Sequence, residues 1–186
     1  MMNNRYSFIG GQQGQWNVRK IREISGTGLA AVARIQIANE SVRELPSESA
    51  WMLQSFVSNI RYANRQELTM LRAIQPPLNR VDAVFAVLIP IKKSAQWWGM
   101  AQDERRAIFE EVSHHTAVGL EYLPGVARQL HHCRDLGEPF DFLTWFEFAP
   151  EYTQSFEQLL ARMRATKEWD YVEREVEVHL ERNNMD

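Results

Sequence analysis

From Val81 to Ile91 the chain is β-branched and apolar, and Pro90-Ile91-Lys92-Lys93 closes the run. A stretch of that length and character predicts a buried strand. It falls far short of the roughly 20 residues a membrane-spanning helix needs. The next segments narrow the fold further. Asp103 to Val118 predicts a helix, with Asp103 as N-cap and Gly119 just past its end. Val126 to Arg134 alternates as a strand does, Gly137-Glu138-Pro139 turns the chain, and Phe140 to Phe148 returns as a second strand. Pro150 opens another helix with Tyr152, Phe156, Leu159, Leu160 and Met163 on one face. Glu173 to Leu180 closes as a strand, with Val176, Val178 and Leu180 on one side.

The order strand-helix-strand-strand-helix-strand is that of the ferredoxin-like split unit. The first half reads as a reduced version: strands near Arg5–Ile9, Val18–Ile24, Leu29–Ile37 and Trp51–Arg61, then a helix from about Asn64 to Ile74, ending before Pro76-Pro77. The expectation is an α+β protein of two ferredoxin-like halves, residues 1–78 and 79–186. Their sheets face each other in one globular unit, a dimeric α+β barrel with helices outside.

Composition excludes several functions. A formal net charge of -3 argues against a general nucleic-acid surface, which needs a concentrated basic patch. Cys133 is the one cysteine, so no intrachain disulfide forms, and without a Cys-x-x-Cys-His sequence no c-type haem attaches covalently. Met1 to Tyr6 lacks a cationic-then-apolar signal pattern, and the expectation is a cytoplasmic protein with no membrane span.

The polar residues that sit on apolar faces carry the chemistry. His115 follows Val112 by three and Ile108 by seven, so it shares their stripe, whereas His114 lies over Glu110 and Glu111. His115 reads either as a hydrogen-bonded core histidine or as a ligand. His131 and His132 point to opposite faces of their strand, and no spacing typical of zinc is present. Arg128 alternates with Val126, Leu130 and His132 on the inward face. Its guanidinium stays protonated, so it can hold an anion but cannot act as acid or base; the alternative is a salt bridge to Asp135, Asp141 or Glu147. Glu168 reads as a surface carboxylate unless it reaches His115, where it would fix the tautomer and strengthen the other ring nitrogen as donor. Trp97 and Trp98 suit a core or a flat apolar cofactor, and Lys93 either a solvated strand end or a pocket rim.

Longer stretches then point to a family. Ser58-Asn59-Ile60-Arg61-Tyr62, Leu88-Ile89-Pro90-Ile91-Lys92-Lys93-Ser94, Gln96-Trp97-Trp98 and Asp103-Glu104-Arg105-Arg106 are joined by Tyr122-Leu123-Pro124 and His132-Cys133-Arg134-Asp135-Leu136-Gly137. Phe140 to Glu147 and Leu159 to Trp169 complete the set. In these the sequence resembles the chlorite dismutases, in particular their short-chain branch, from about Ser49 to Leu180. The resemblance implies non-covalent haem b and conversion of chlorite to chloride and dioxygen, with the O–O bond formed at a ferryl haem. It implies a homodimer as well. His115 matches the proximal iron ligand, Glu168 the carboxylate bonded to it, Arg128 the distal arginine, and Gln75 a glutamine that can hold that arginine in one orientation. Tyr62, Lys93 and Trp97 fall where the family contacts haem propionates and lines the pocket. The alternative within the superfamily is a haem-binding or coproheme decarboxylase-like protein; those decarboxylases carry glutamine where this chain has Arg128.

Overall fold

The computed structural model describes residues 4–57 and 62–183. Eight strands form one closed barrel: β1 (Arg5–Gly11), β2 (Trp16–Ser25), β3 (Arg34–Ala38), β4 (Ser49–Val57), β5 (Phe85–Lys93), β6 (Val126–His132), β7 (Phe142–Phe148) and β8 (Val172–Arg182). The order around the barrel is β1-β3-β2-β8-β5-β7-β6-β4, and every pairing is antiparallel. Each half contributes four adjacent strands in the same internal order, fourth-first-third-second. Among the described residues the ring closes through two short junctions, β2 to β3 at Trp16 and Asn17 and β4 to β6 at Phe56 and Val57.

Side-chain alternation divides the packing into two layers. One set of side chains fills the barrel: Phe8, Trp16, Ile35, Leu53, Ala86, Leu88, Leu143, Trp145, Val176, Val178 and Leu180. The other face of β5, β7 and β6 presents Val87, Ile89, Ile91, Phe146, Phe148 and Val126 to Phe156, Leu159, Leu160 and Met163. β5 is thus apolar on both faces, which is why its sequence is a continuous run.

The helices lie outside. α1 (Arg65–Ile74) starts in a capping box in which Asn64 Oδ1 accepts from Glu67 N–H and Glu67 Oε2 accepts from Asn64 N–H, at 2.9 and 2.7 Å. α2 (Ala95–Gly99), α3 (Gln102–Arg106), α4 (His115–Tyr122) and α5 (Thr153–Arg164) follow. Gly125, in the turn between α4 and β6, lies against the Tyr152 ring; a Cβ there would come within 2.3 Å of it.

Two strand boundaries are corrected. The run expected to begin a strand at Val81 starts pairing only at Phe85, because residues 80–84 turn and leave Val81 95% exposed. Residues 29–33 carry no strand, and β3 begins at Arg34. Residues 58–61, expected in the fourth strand, lie outside the described residues.

The largest difference concerns the single helix expected over Asp103–Val118. It is capped at Ala101, whose N–H donates to Glu104 Oε2 at 2.6 Å, so Asp103 lies inside the first turn. After α3 the chain widens into a π-helical segment, Ala107–Val112, in which Ser113 N–H reaches back to Ile108 O. His114 then adopts a left-handed conformation with φ of 51°, and α4 starts afresh at His115. Gly119 is inside α4, not past the end of a helix.

Candidate functional site

A slot runs between the sheet wall of β5, β7 and β6 and the helix wall of α4 and α5, and its lining is predominantly apolar. Parity supplies the sheet wall: Ile89, Ile91 and Lys93 from β5, Phe142, Thr144 and Phe146 from β7, and Val126, Arg128, Leu130 and His132 from β6. Leu71 brings α1 to the slot. Of the residues singled out in the sequence, His115, Glu168, Lys93, Trp97, Tyr62 and Arg128 all line it.

His115 stands on the helix wall. Its Nδ1 is 2.7 Å from Glu168 Oε2, so the ring is oriented from behind and Nε2 is left as the lone-pair donor. The Phe109 ring stacks on the imidazole at 4.2 Å and 21°. The stripe expected to carry His115 does not exist as such: Val112 is 59% exposed, and the π segment and His114 break the periodicity between them. His115 reaches the slot because it opens a new helix. π segments occur often at functional sites because they re-aim side chains locally. This one and the Ser113 that caps it supply two further contacts: Glu110 Oε2 accepts the N–H of Thr116, and Ser113 Oγ accepts the N–H of Glu168 at 2.9 Å.

Glu168 is 3% exposed, in a 3-10 turn, Lys167–Tyr171, leading into β8. The surface reading of this residue is replaced. Lys93, expected at a solvated strand end or pocket rim, is 5% exposed, and its Nζ is 2.7 Å from Glu168 Oε1. The Lys93 ammonium also lies 4.7 Å from the Trp97 ring centroid. Burial pushes the Glu168 carboxyl up, but the charges and hydrogen bonds of His115 and Lys93 together outweigh it and hold the group down at about 2. Lysine, glutamate and histidine thus form a buried chain behind the slot.

Arg128 faces His115 from the sheet wall. Asp141 is taken by Arg134 and Glu147 lies beside Arg182. Among the described residues the Arg128 guanidinium makes no ion pair or hydrogen bond, and its Nε is buried without a partner. Burial pushes the guanidinium below its ordinary value with no carboxylate to offset it. Gln75, the C-cap of α1, donates from Nε2 to the backbone carbonyl of Arg128 at 2.9 Å. That bond ties the end of α1 to β6 at Arg128 itself. Gln75 and Arg128 border a second, more polar cavity of about 920 Å³, which also contains the other face of β6.

The tryptophan pair separates. Trp97 is 1% exposed in the slot wall, and among the described residues its indole N–H has no partner. Trp98 donates to Asp141 Oδ2 at 3.0 Å and lies under Arg134. Tyr62, at φ of 66°, packs edge-on against Trp97. His131 lies on the opposite face of β6 from His132, 3.1 Å from Ser55 Oγ, and burial holds its imidazole down at about 3. Among the described residues no three His, Cys, Asp or Glu side chains gather to hold a metal ion. The buried Cys133 thiol lies against Phe140 O, and burial pushes its pKa up. Sequence reading missed Phe109 and Ser113; the parity of Ile89, Ile91 and Lys93 was the available signal for Lys93.

Comparison with known proteins decides the family. Residues 29–183 match the chlorite dismutases. The chain belongs to the chlorite dismutase family. A dimeric chlorite dismutase of Nitrobacter winogradskyi is 50% identical, with a TM-score of 0.90 over 96% of this chain and 99% of that one. A variant chlorite dismutase of Candidatus Nitrospira defluvii in complex with cyanide shares the fold at 18% identity and a TM-score of 0.69, over 98% of this chain and 92% of that one. A chlorite dismutase of Ideonella dechloratans is 40% identical over 63 residues, 34% of this chain, and the match spans 21% of that relative. No helix among the described residues is long and apolar enough to cross a membrane.

Proposed function

We propose that the protein is a haem b-dependent chlorite dismutase that converts chlorite to chloride and dioxygen. The observation that carries this reading is the pairing of two opposed polar groups in one apolar slot. A histidine braced by a buried carboxylate stands on the helix wall, and an arginine with no counterion among the described residues stands on the sheet wall.

The residues fit haem b. The slot is lined mostly by apolar and aromatic side chains, the His115 Nδ1–Glu168 bond leaves Nε2 for iron, and the Trp97 N–H, without a partner among the described residues, adds a donor in the wall. Haem iron, when bound, supplies the redox centre at which the chlorine–oxygen bond breaks and the oxygen–oxygen bond forms. The protein's side chains do the rest. Glu168 accepts the Nδ1 proton of His115, raising the donor strength of the imidazole, and Lys93 keeps that carboxylate ionised. Arg128 attracts the chlorite anion and opposes escape of the hypochlorite-level product until it recombines. Neither Arg128 nor Gln75 supplies a proton, in keeping with a reaction that has no net proton change. Gln75 acts through the Arg128 main chain, and Tyr62 and Trp97 contribute to the pocket wall.

We also read residues 1–78 and 79–186 as two ferredoxin-like halves, the first reduced; the repeated strand order supports this. A homodimer is the assembly suggested by the Nitrobacter winogradskyi relative. The test is haem titration followed by addition of chlorite under an oxygen electrode. A Soret band and oxygen evolution are expected, lost together in His115→Ala and kept in His114→Ala. Haem uptake without oxygen evolution would assign the chain to haem binding instead.

A further inference from the structure

We infer that Thr144 is a second contact for the bound anion, donating its hydroxyl hydrogen to an oxygen of the small oxyanion that Arg128 holds. The inference rests on the proposal that the slot takes haem and an oxyanion, and it adds a residue that binds and orients that anion.

The sheet wall is built of three cross-strand rungs: Arg128 opposite Phe146, Leu130 opposite Thr144, and His132 opposite Phe142. All six side chains line the slot. Thr144 is the diagonal neighbour of Arg128, a relation that puts β-carbons within about 7–8 Å on one face. One small anion can then touch both the guanidinium fork and the hydroxyl.

Chemistry separates Thr144 from its surroundings. It interrupts the apolar run Phe142-Leu143-Thr144-Trp145-Phe146, where the isosteric valine would suit a strand as well. Among the described residues its hydroxyl makes no hydrogen bond, and a hydroxyl in an apolar wall is unfavourable unless something pairs with it. The slot's other threonine, Thr116, is next to His115 on the helix wall, across from Arg128. Arg128 supplies charge, and its several equivalent donors accept an anion in more than one orientation. A single directional hydroxyl beside it selects one of them. Thr144 is neutral, so it adds orientation without adding charge.

Fluoride is the probe, because it is a small anion and a strong hydrogen-bond acceptor; neutral imidazole is the control. Haem-loaded wild type, Thr144→Val, Thr144→Ser and Arg128→Ala are each titrated with both, following the Soret band. Thr144→Val is expected to weaken fluoride binding about tenfold, the scale of one hydrogen bond to a charged acceptor, while Thr144→Ser restores it. Imidazole affinity is expected to stay within about twofold across the Thr144 variants. Arg128→Ala is expected to lose more fluoride affinity than Thr144→Val. A Thr144→Val protein that takes up haem and binds fluoride like wild type would overturn the role of Thr144 and leave the function proposed above standing. A wild-type protein that refuses haem would overturn both.

Discussion

Replacing Glu168 by glutamine removes the one negative charge in a buried chain that otherwise contains Lys93 and His115. Both contacts to it are 2.7 Å long, and the Lys93 and Glu168 side chains are only 4% and 5% exposed. Glutamine keeps the shape and one acceptor oxygen, but it leaves the lysine ammonium buried without a counter-charge. Breaking a buried pair in that way costs about 3–5 kcal/mol. For a chain of this size the loss corresponds to a fall in Tm of about 6–20 °C. Urea unfolding of the haem-free protein at pH 7 measures it, with Lys93→Met and the double variant completing a double-mutant cycle. The double variant should be less destabilised than the sum of the singles by about 2 kcal/mol or more, since it removes both charges together. Additivity within about 0.5 kcal/mol would refute the claim that the two residues act as one unit. In haem-loaded protein the same Glu168→Gln change weakens the imidazole donor, so the ferric/ferrous midpoint potential should rise.

Arg128→Met should stabilise the haem-free protein by about 1–2 kcal/mol in urea unfolding, because it removes a buried charge with no counterion among the described residues, and yet the haem-loaded variant should lose chlorite turnover. Stability should fall with acid between pH 6 and 4. His131 is held near 3 in the folded protein and lies near 6.5 unfolded, so the unfolded chain takes up the extra proton as pH drops. The slope from this one group approaches about 1.4 kcal/mol per pH unit, and unfolding of His131→Phe at several pH values should show it reduced. Glu168, held at about 2, adds to the loss only below its unfolded value, from about pH 4.5 downward. His114→Gly should raise stability by about 1 kcal/mol without affecting haem uptake, since φ of 51° is strained for a residue with a β-carbon.

Much of this architecture is legible in the sequence because alternation is a local property. Val176, Val178 and Leu180 enter the barrel as the pattern requires, and the face shared by Val126, Arg128, Leu130 and His132 becomes one wall of the slot. Phe156, Leu159, Leu160 and Met163 form the buried face of α5. Helix boundaries near the site are less legible, because the π segment and the left-handed His114 depend on tertiary contacts. Glu110 reaches the start of α4, and Ser113 reaches Glu168 across 55 positions. Periodicity therefore selects His115 for a reason the structure does not share. Lys93 and Glu168, 75 positions apart, look individually like surface charges; only their meeting explains why both are buried. Gln75 meets the Arg128 carbonyl across 53 positions, a contact that no local pattern shows.

In the proposed reaction one pocket retains both oxygen atoms of chlorite until they join. Isotope labelling reads that retention without intermediaries. Haem-loaded protein is supplied with doubly ¹⁸O-labelled chlorite in unlabelled water, and the evolved gas is analysed by mass spectrometry. Dioxygen carrying both labels, one molecule for each chlorite consumed, is the expected result. Dioxygen containing an oxygen from water, or chlorite consumption with no oxygen released, would contradict it.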